Sequence, residues 1–208
     1  GRNFDPGVTQ ALSGHDDATT LGLIEEALRA RVIDETGRAG EYRFTHALMQ
    51  ETLLGELSAA RQVLLHGQIA EVFEALYGAD DRDHLAALAN HYAESAVLNH
   101  EHAQKAVHHL RLAAEQSMAA LGYDDAAKLY ERCLGIIEQA RDPFGEDEAA
   151  LWAALAICRK VLGELATGRT ALERALAVFA ERGDARSGAR VWVDFIEGDI
   201  DAATRENL

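Results

Sequence analysis

The residues best equipped for chemistry in this 208-residue chain are its nine histidines. Six of them, His84, His91, His100, His102, His108 and His109, fall close together in the sequence. Imidazole ligates metals and moves protons near neutral pH, so such a group invites a metal or an acid–base reading. His84 and His91 stand seven apart and can share one helix face, but no Cys or carboxylate stands at ligand spacing with them. The expected metal site is therefore none, and these rings are read as lying on solvated helix faces. No Walker A loop, Gly-x-Ser-x-Gly elbow or His-Glu-x-x-His helix occurs, and the expected catalytic set is likewise none.

The elements that position the remaining candidates follow from periodicity. Val32–Thr36 and Glu41–Thr45 are two short β-prone runs separated by Gly37-Arg38-Ala39-Gly40, the composition of a hairpin loop. A helix is predicted before them from about Asp17 to Ala30, with Leu21, Ile24, Leu28 and Val32 as its apolar stripe. Another starts behind them, so His46 sits where strand passes into helix. Helix, hairpin and helix make a winged-helix layout. Ser58 to Tyr77 reads as a connecting helix, with Ser58 as N-cap and Gly78 as stop, and the polar turn Ala79–Asp83 reads as a hinge. Beyond it, helical runs are predicted at roughly 84–97, 102–120, 123–139, 147–162, 167–182, 185–197 and from 200 onward.

A repeat emerges in these later runs. Ala126, Tyr130, Cys133 and Ile137 stand at i, i+4, i+7 and i+11, and Gly168, Leu172, Ala175 and Phe179 repeat that spacing 42 residues later. Trp152, Leu155 and Ala156 precede a turn at Gly163 and Leu165, and Gly198, Ile200 and Ala203 begin the same turn again. Small residues on one helix admit large ones from its partner, which lets helical hairpins nest and stack. The fold class expected is mainly α: a small winged-helix module with a β-hairpin over 1–78, then a tetratricopeptide-like superhelical array of degenerate repeats over 79–208, truncated at its C-terminus. The missing initiator Met at Gly1 and the end at Leu208 in mid-helix suggest an excised piece of a longer protein.

Bulk properties narrow the function. The 48% hydrophobic content can fill a core, while 6% aromatic content favours close-packed helices over a β-rich interior. A formal charge of −15 opposes nonspecific attraction to nucleic acid or to an anionic membrane. Residues 1–60 carry 5 Arg and no Lys against 10 Asp and Glu, which argues against a DNA-binding winged helix. Cys133 and Cys158 fall on apolar stripes and read as buried thiols in a reducing, cytoplasmic setting. No apolar run reaches the ~20 residues of a membrane span.

The pattern Phe44-x-His46-x-Leu48-x-x-Glu51, with Arg61, Leu65 and His66 in register behind it, resembles the region after the nucleotide-binding domain in bacterial STAND-type ATPases. Large LuxR-type regulators and ATPase-linked adenylate cyclases belong to that group. The resemblance implies an upstream AAA-like domain that binds ATP or ADP, and no cofactor in these residues themselves. It implies a regulatory segment that relays nucleotide state and contacts a protein partner, a further copy or a small-molecule inducer. In that family a winged-helix histidine reaches the phosphates of bound ADP, which would make His46 nucleotide-sensing. The plainer alternative is that His46 starts a helix and hydrogen-bonds locally. Glu51 and Arg61 read as a partly exposed ion pair worth under ~1 kcal/mol. Trp192 and Phe195, on one predicted helix, either form an interaction surface or pack against a following repeat. Two other classes stay open: a DNA-binding regulator with a helical dimerisation tail, and a stand-alone tetratricopeptide adaptor.

Overall fold

The computed structural model describes residues 3–36, 40–78, 84–140 and 148–205, with side chains to residue 196. The expected loop at 37–39, the hinge at 79–83 and the side chains of Gly198, Ile200 and Ala203 lie outside what it describes. The protein is mainly α-helical and divides into two compact units, Gly1–His84 and Leu85–Leu208.

The first unit runs β1 (Asn3–Phe4), α1 (Pro6–Ser13), α2 (Asp17–Arg29), β2 (Ile33–Glu35), β3 (Tyr42–Phe44), α3 (Ala47–Gly55) and α4 (Ala59–Tyr77). The two expected strands pair antiparallel, Ile33 opposite Phe44 and Glu35 opposite Tyr42. A third strand, β1, was not anticipated; it pairs antiparallel with the other side of β3, so β3 is central in the order β1-β3-β2. Helix α1 was also missed, although Asp5-Pro6 is a strong start signal. The Asp5 carboxylate accepts from the Gly7 N–H, and Pro6 occupies a first-turn position where no N–H is needed. The Tyr77 hydroxyl donates to the same Asp5 carboxylate, tying the end of α4 to the start of α1.

Ile24, Ile33 and Tyr42 form the core under the sheet, with Phe4, Leu28, Val32 and Phe44 packed against it. The apolar stripe of α2 is rotated from the one expected. Leu21 is 54% exposed, whereas Thr20 and Ile24 are buried. Thr20, Ile24, Ala27 and Leu28 share the face that a β-branched residue at position 20 enters as well as a leucine at 21 would.

The second unit comprises α5 (Leu85–Ser95), α6 (His100–Ala119), α7 (Tyr123–Gln139), α8 (Glu148–Val161), α9 (Leu165–Glu181) and α10 (Ala185–Arg205). Helices adjacent in sequence pack together, around a core that includes Val107, Leu110, Tyr130, Cys133, Leu155 and Leu172. Both halves of the 42-residue pattern face inward: Ala126, Tyr130 and Cys133 on α7, and Gly168, Leu172, Ala175 and Phe179 on α9, are buried. A Cβ at Gly168 would stand 3.1 Å from the Ala156 carbonyl oxygen and 3.3 Å from the Lys160 nitrogen, so α8 and α9 cross where a side chain is absent. The helices expected at 185–197 and from 200 are one continuous helix, α10. Glycine inside a helix costs only about 1 kcal/mol relative to alanine, and with no proline nearby Gly198 does not end it.

One turn chemistry recurs. Gly122 N–H bonds to Ser117 O, Glu164 N–H to Arg159 O and Asp184 N–H to Phe179 O, and in each case the preceding N–H reaches back three residues. These paired bonds are a Schellman cap, which uses up orphan carbonyls at a helix end and requires a left-handed residue between. That residue is Gly163 and Gly183 in two turns but Leu121, at φ 63°, in the other.

Candidate functional site

His46 is the N-cap residue of α3, with extended φ −128° and ψ 133°, and its ring makes no capping hydrogen bond. It therefore starts the helix without the local side-chain bond that the plainer reading supposed. The helix entry is fixed instead by Thr45, whose N–H bonds to Val32 O and whose hydroxyl donates to Arg31 O at 2.8 Å. The far end of α3 is held by Gln62, whose Nε2 donates to Leu54 O at 2.9 Å and Leu57 O at 3.1 Å. Between these anchors α3 buries no residue. His46 lies at an apolar cavity of about 560 Å³ with Val32, Leu48, Met49, Thr52 and Leu53.

Glu51 and Arg61 are both exposed, and among the described residues no ion pair joins them, contrary to expectation. Trp192 and Phe195 lie on α10 but part ways. Phe195 is 9% exposed and belongs to the core, its ring 4.9 Å from the Lys160 ammonium, whereas Trp192 is 47% exposed. Only Trp192 of the pair offers a surface.

Two histidines of the second unit depart from the expected solvated faces, while His100 is exposed and His91 and His108 are half-buried. His102 and His109 are buried on α6, on either side of the fully buried Tyr92 of α5. His109 stacks on the Tyr92 ring at 5.6 Å, and His102 meets it edge-on at 5.4 Å. The spacing 102, 109 is i, i+7, one face of a helix, and it equals the spacing of His84 and His91. Those two do not share a helix: His84 precedes α5 and stacks on Tyr77 at 4.1 Å. Ser95 Oγ lies 2.9 Å from His102 Nδ1, but both residues are buried and the hydroxyl donates to the carbonyls of His91 and Tyr92. A serine so enclosed presents no nucleophile to a substrate.

No family model matches this chain, and no curated protein is significantly similar to it. Function must be read from the geometry. Among the described residues no group of three or more His, Cys, Asp or Glu is placed to hold a metal ion. Cys133 and Cys158 are buried free thiols. Burial pushes the Cys158 thiol above its usual range, which keeps it protonated and unreactive. No helix among the described residues is long and apolar enough to cross a membrane.

A second concavity, about 660 Å³, opens where the C-terminal ends of α5 and α7 meet the start of α6. Small residues make room for it: Ala93, Ala96, Ala103 and Gly135 line the walls. Its charged residues, Arg132 and Glu94, are paired with each other, Arg132 donating to Asn90 Oδ1 at 3.0 Å and to Glu94 Oε1 at 2.6 Å. The cleft thus carries a neutralised ion pair and offers no free charge of one sign to a ligand. His46 and the apolar residues Leu48, Met49 and Leu53 stand exposed beside the first concavity.

Proposed function

We propose that this chain is a noncatalytic regulatory segment of a STAND-type ATPase signalling protein, in which a winged-helix module relays nucleotide state and tetratricopeptide-like helical hairpins receive a protein or small-molecule signal. The observation that carries this proposal is the placement of His46: exposed at the exit of the central strand, with its ring not spent on capping the helix it begins. An imidazole so placed is available to donate to a diphosphate, and a ligand it contacts in one domain arrangement shifts the balance toward that arrangement. The inward-facing 42-residue pattern and the small residue at the α8–α9 crossing support the repeat reading of the second unit. A transcriptional output fits the resemblance to LuxR-type regulators. The acidic first unit speaks against direct contact with DNA.

The test is His46→Ala in the protein that carries the nucleotide-binding domain. Weaker retention of ADP and a raised basal activity are the expected results. Nucleotide affinity and basal activity both equal to those of the unaltered protein would remove the proposed role.

A further inference from the structure

The chain carries one helix whose composition contradicts its surroundings. Helix α3 includes Ala47, Leu48, Met49, Leu53 and Leu54, yet none of its residues is buried, and Leu48 is 72% exposed. A nine-residue helix is too short to persist in water by propensity alone. Here Thr45 fixes its entry and Gln62 its exit, so the apolar surface is held in place rather than merely left over. Leu48, Met49, Thr52 and Leu53 stand at i, i+1, i+4 and i+5, one face of the helix, and with Val32 and His46 they line the 560 Å³ cavity. Clustered exposed apolar side chains around a concavity mark an interaction site. Leucine with methionine is the composition that accommodates the anchors of an amphipathic helix, read at i, i+3, i+4 and i+7.

Charge chooses the occupant. Residues 1–84 contain 7 Arg and no Lys against 15 Asp and Glu, a formal charge of −8. A second copy of this unit would bring an equal negative charge to the contact, and an anionic bilayer would repel it in the same way. A helix with basic flanks is instead attracted by the net negative charge of the whole unit, which steers it toward this unit before the apolar contacts form. We propose that the α3 face is a docking site for an amphipathic helix bearing Lys or Arg beside its apolar stripe. The proposal stands independently of the regulatory reading, since it invokes neither nucleotide nor His46 as a donor.

The test uses a fluorescein-labelled peptide of about 18 leucines and lysines with leucine at i, i+3, i+4 and i+7. Beside it run a composition-matched scramble and a version with glutamate in place of lysine. Fluorescence anisotropy against the full 208-residue chain, at ~0.15 M salt, should show saturable binding of the Leu/Lys helix only. Leu48→Asp with Leu53→Asp should weaken it by roughly tenfold or more, while Leu165→Asp, at an exposed position of the second unit, should leave it unchanged. The added carboxylates strengthen any nonspecific attraction to lysine, so weaker binding isolates the apolar contact. Circular dichroism of the double variant checks that the fold survives, as expected for two exposed positions. Equal binding by the scramble or the Leu/Glu peptide, or binding unaltered in the double variant, would overturn the proposal. So would sedimentation showing that the chain dimerises and that the double variant does not, because the face would then belong to a second copy.

Discussion

Helices α3 and α9 each carry three leucines, and they meet opposite fates. Helix α9 buries Gly168, Ala171, Leu172, Ala175 and Phe179, whereas α3 buries nothing. The difference lies in spacing. The buried residues of α9 fall at i, i+3, i+4, i+7 and i+11, a single stripe with its smallest member where α8 crosses. The apolar residues of α3 come as two short clusters, Ala47-Leu48-Met49 and Leu53-Leu54, without the long i, i+3, i+4, i+7, i+11 stripe along which another helix could pack. Apolar content thus sets how much surface seeks cover, and periodicity decides whether the helix's own unit supplies it.

The sharpest way to break that comparison is to fill the crossing. In Gly168→Val the new Cβ meets two backbone atoms, Ala156 O at 3.1 Å and Lys160 N at 3.3 Å, neither of which can swing aside as a side chain tip would. The helix-propensity gain over glycine is under about 1 kcal/mol, and overpacking a close crossing costs about 1–3 kcal/mol. Net destabilisation is expected, read as a lower urea midpoint. An unchanged or higher midpoint would mean that α8 and α9 are not held together by this close approach, and the distinction between the two helices would lose its physical basis.

Much of the second unit was legible because its signals are local and redundant. Ala126, Tyr130 and Cys133 repeat as Gly168, Leu172 and Ala175, and each hairpin has its own turn. The first unit was read less completely. Strand β1 is two residues long and exists only through its pairing with β3, a contact some 40 residues away that no local pattern announces. Helix α1 was readable from the Asp5 cap and Pro6. The stripe of α2 was misplaced because Leu21 outranks Thr20 in hydrophobicity although Thr20 has the better angular position. From sequence His102 and His109 read as surface residues, because nothing there shows that Tyr92 lies opposite them. Charge alone places a histidine outside; a facing aromatic ring places it inside. At the candidate site, the position of His46 at the strand-to-helix junction was legible, but the bareness of the helix behind it was not, since an apolar helix is expected to be covered.

A smaller effect sharpens the comparison within the second unit. The α6–α7 and α8–α9 turns share their hydrogen bonds, yet the left-handed residue is Leu121 in one and Gly163 in the other. A non-glycine residue there suffers a contact between Cβ and the carbonyl, costing roughly 1–2 kcal/mol in place. The Leu121 side chain is 75% exposed and recovers little of that by packing. Glycine's extra freedom in the unfolded chain offsets part of the gain, so Leu121→Gly should stabilise by about 0.5–1 kcal/mol, seen as a higher urea midpoint with an unchanged slope. A lower midpoint would show that Leu121 contributes contacts worth more than its backbone strain, and that the two hairpins are not equivalent at their turns.

The smallest expected change is the one on α3 itself. Leu48→Ser removes a large apolar side chain, and at a core position such as Leu172 truncation costs about 2–5 kcal/mol. At Leu48 the side chain is already mostly in water, so little transfer free energy is lost, and serine near a helix start forfeits only a few tenths of a kcal/mol in propensity. A change within about 0.5 kcal/mol follows, the range of surface substitutions remote from packed features. The measurement is a urea midpoint taken at two protein concentrations well apart. A loss of several kcal/mol at both would show that α3 is packed into its own unit after all. A loss that appears only at the higher concentration would show self-association covering the face, because binding between copies adds stability in proportion to the logarithm of concentration. A near-zero change at both leaves Leu48 as a side chain whose apolar surface is satisfied by nothing in this chain, the condition under which a partner helix gains most by covering it.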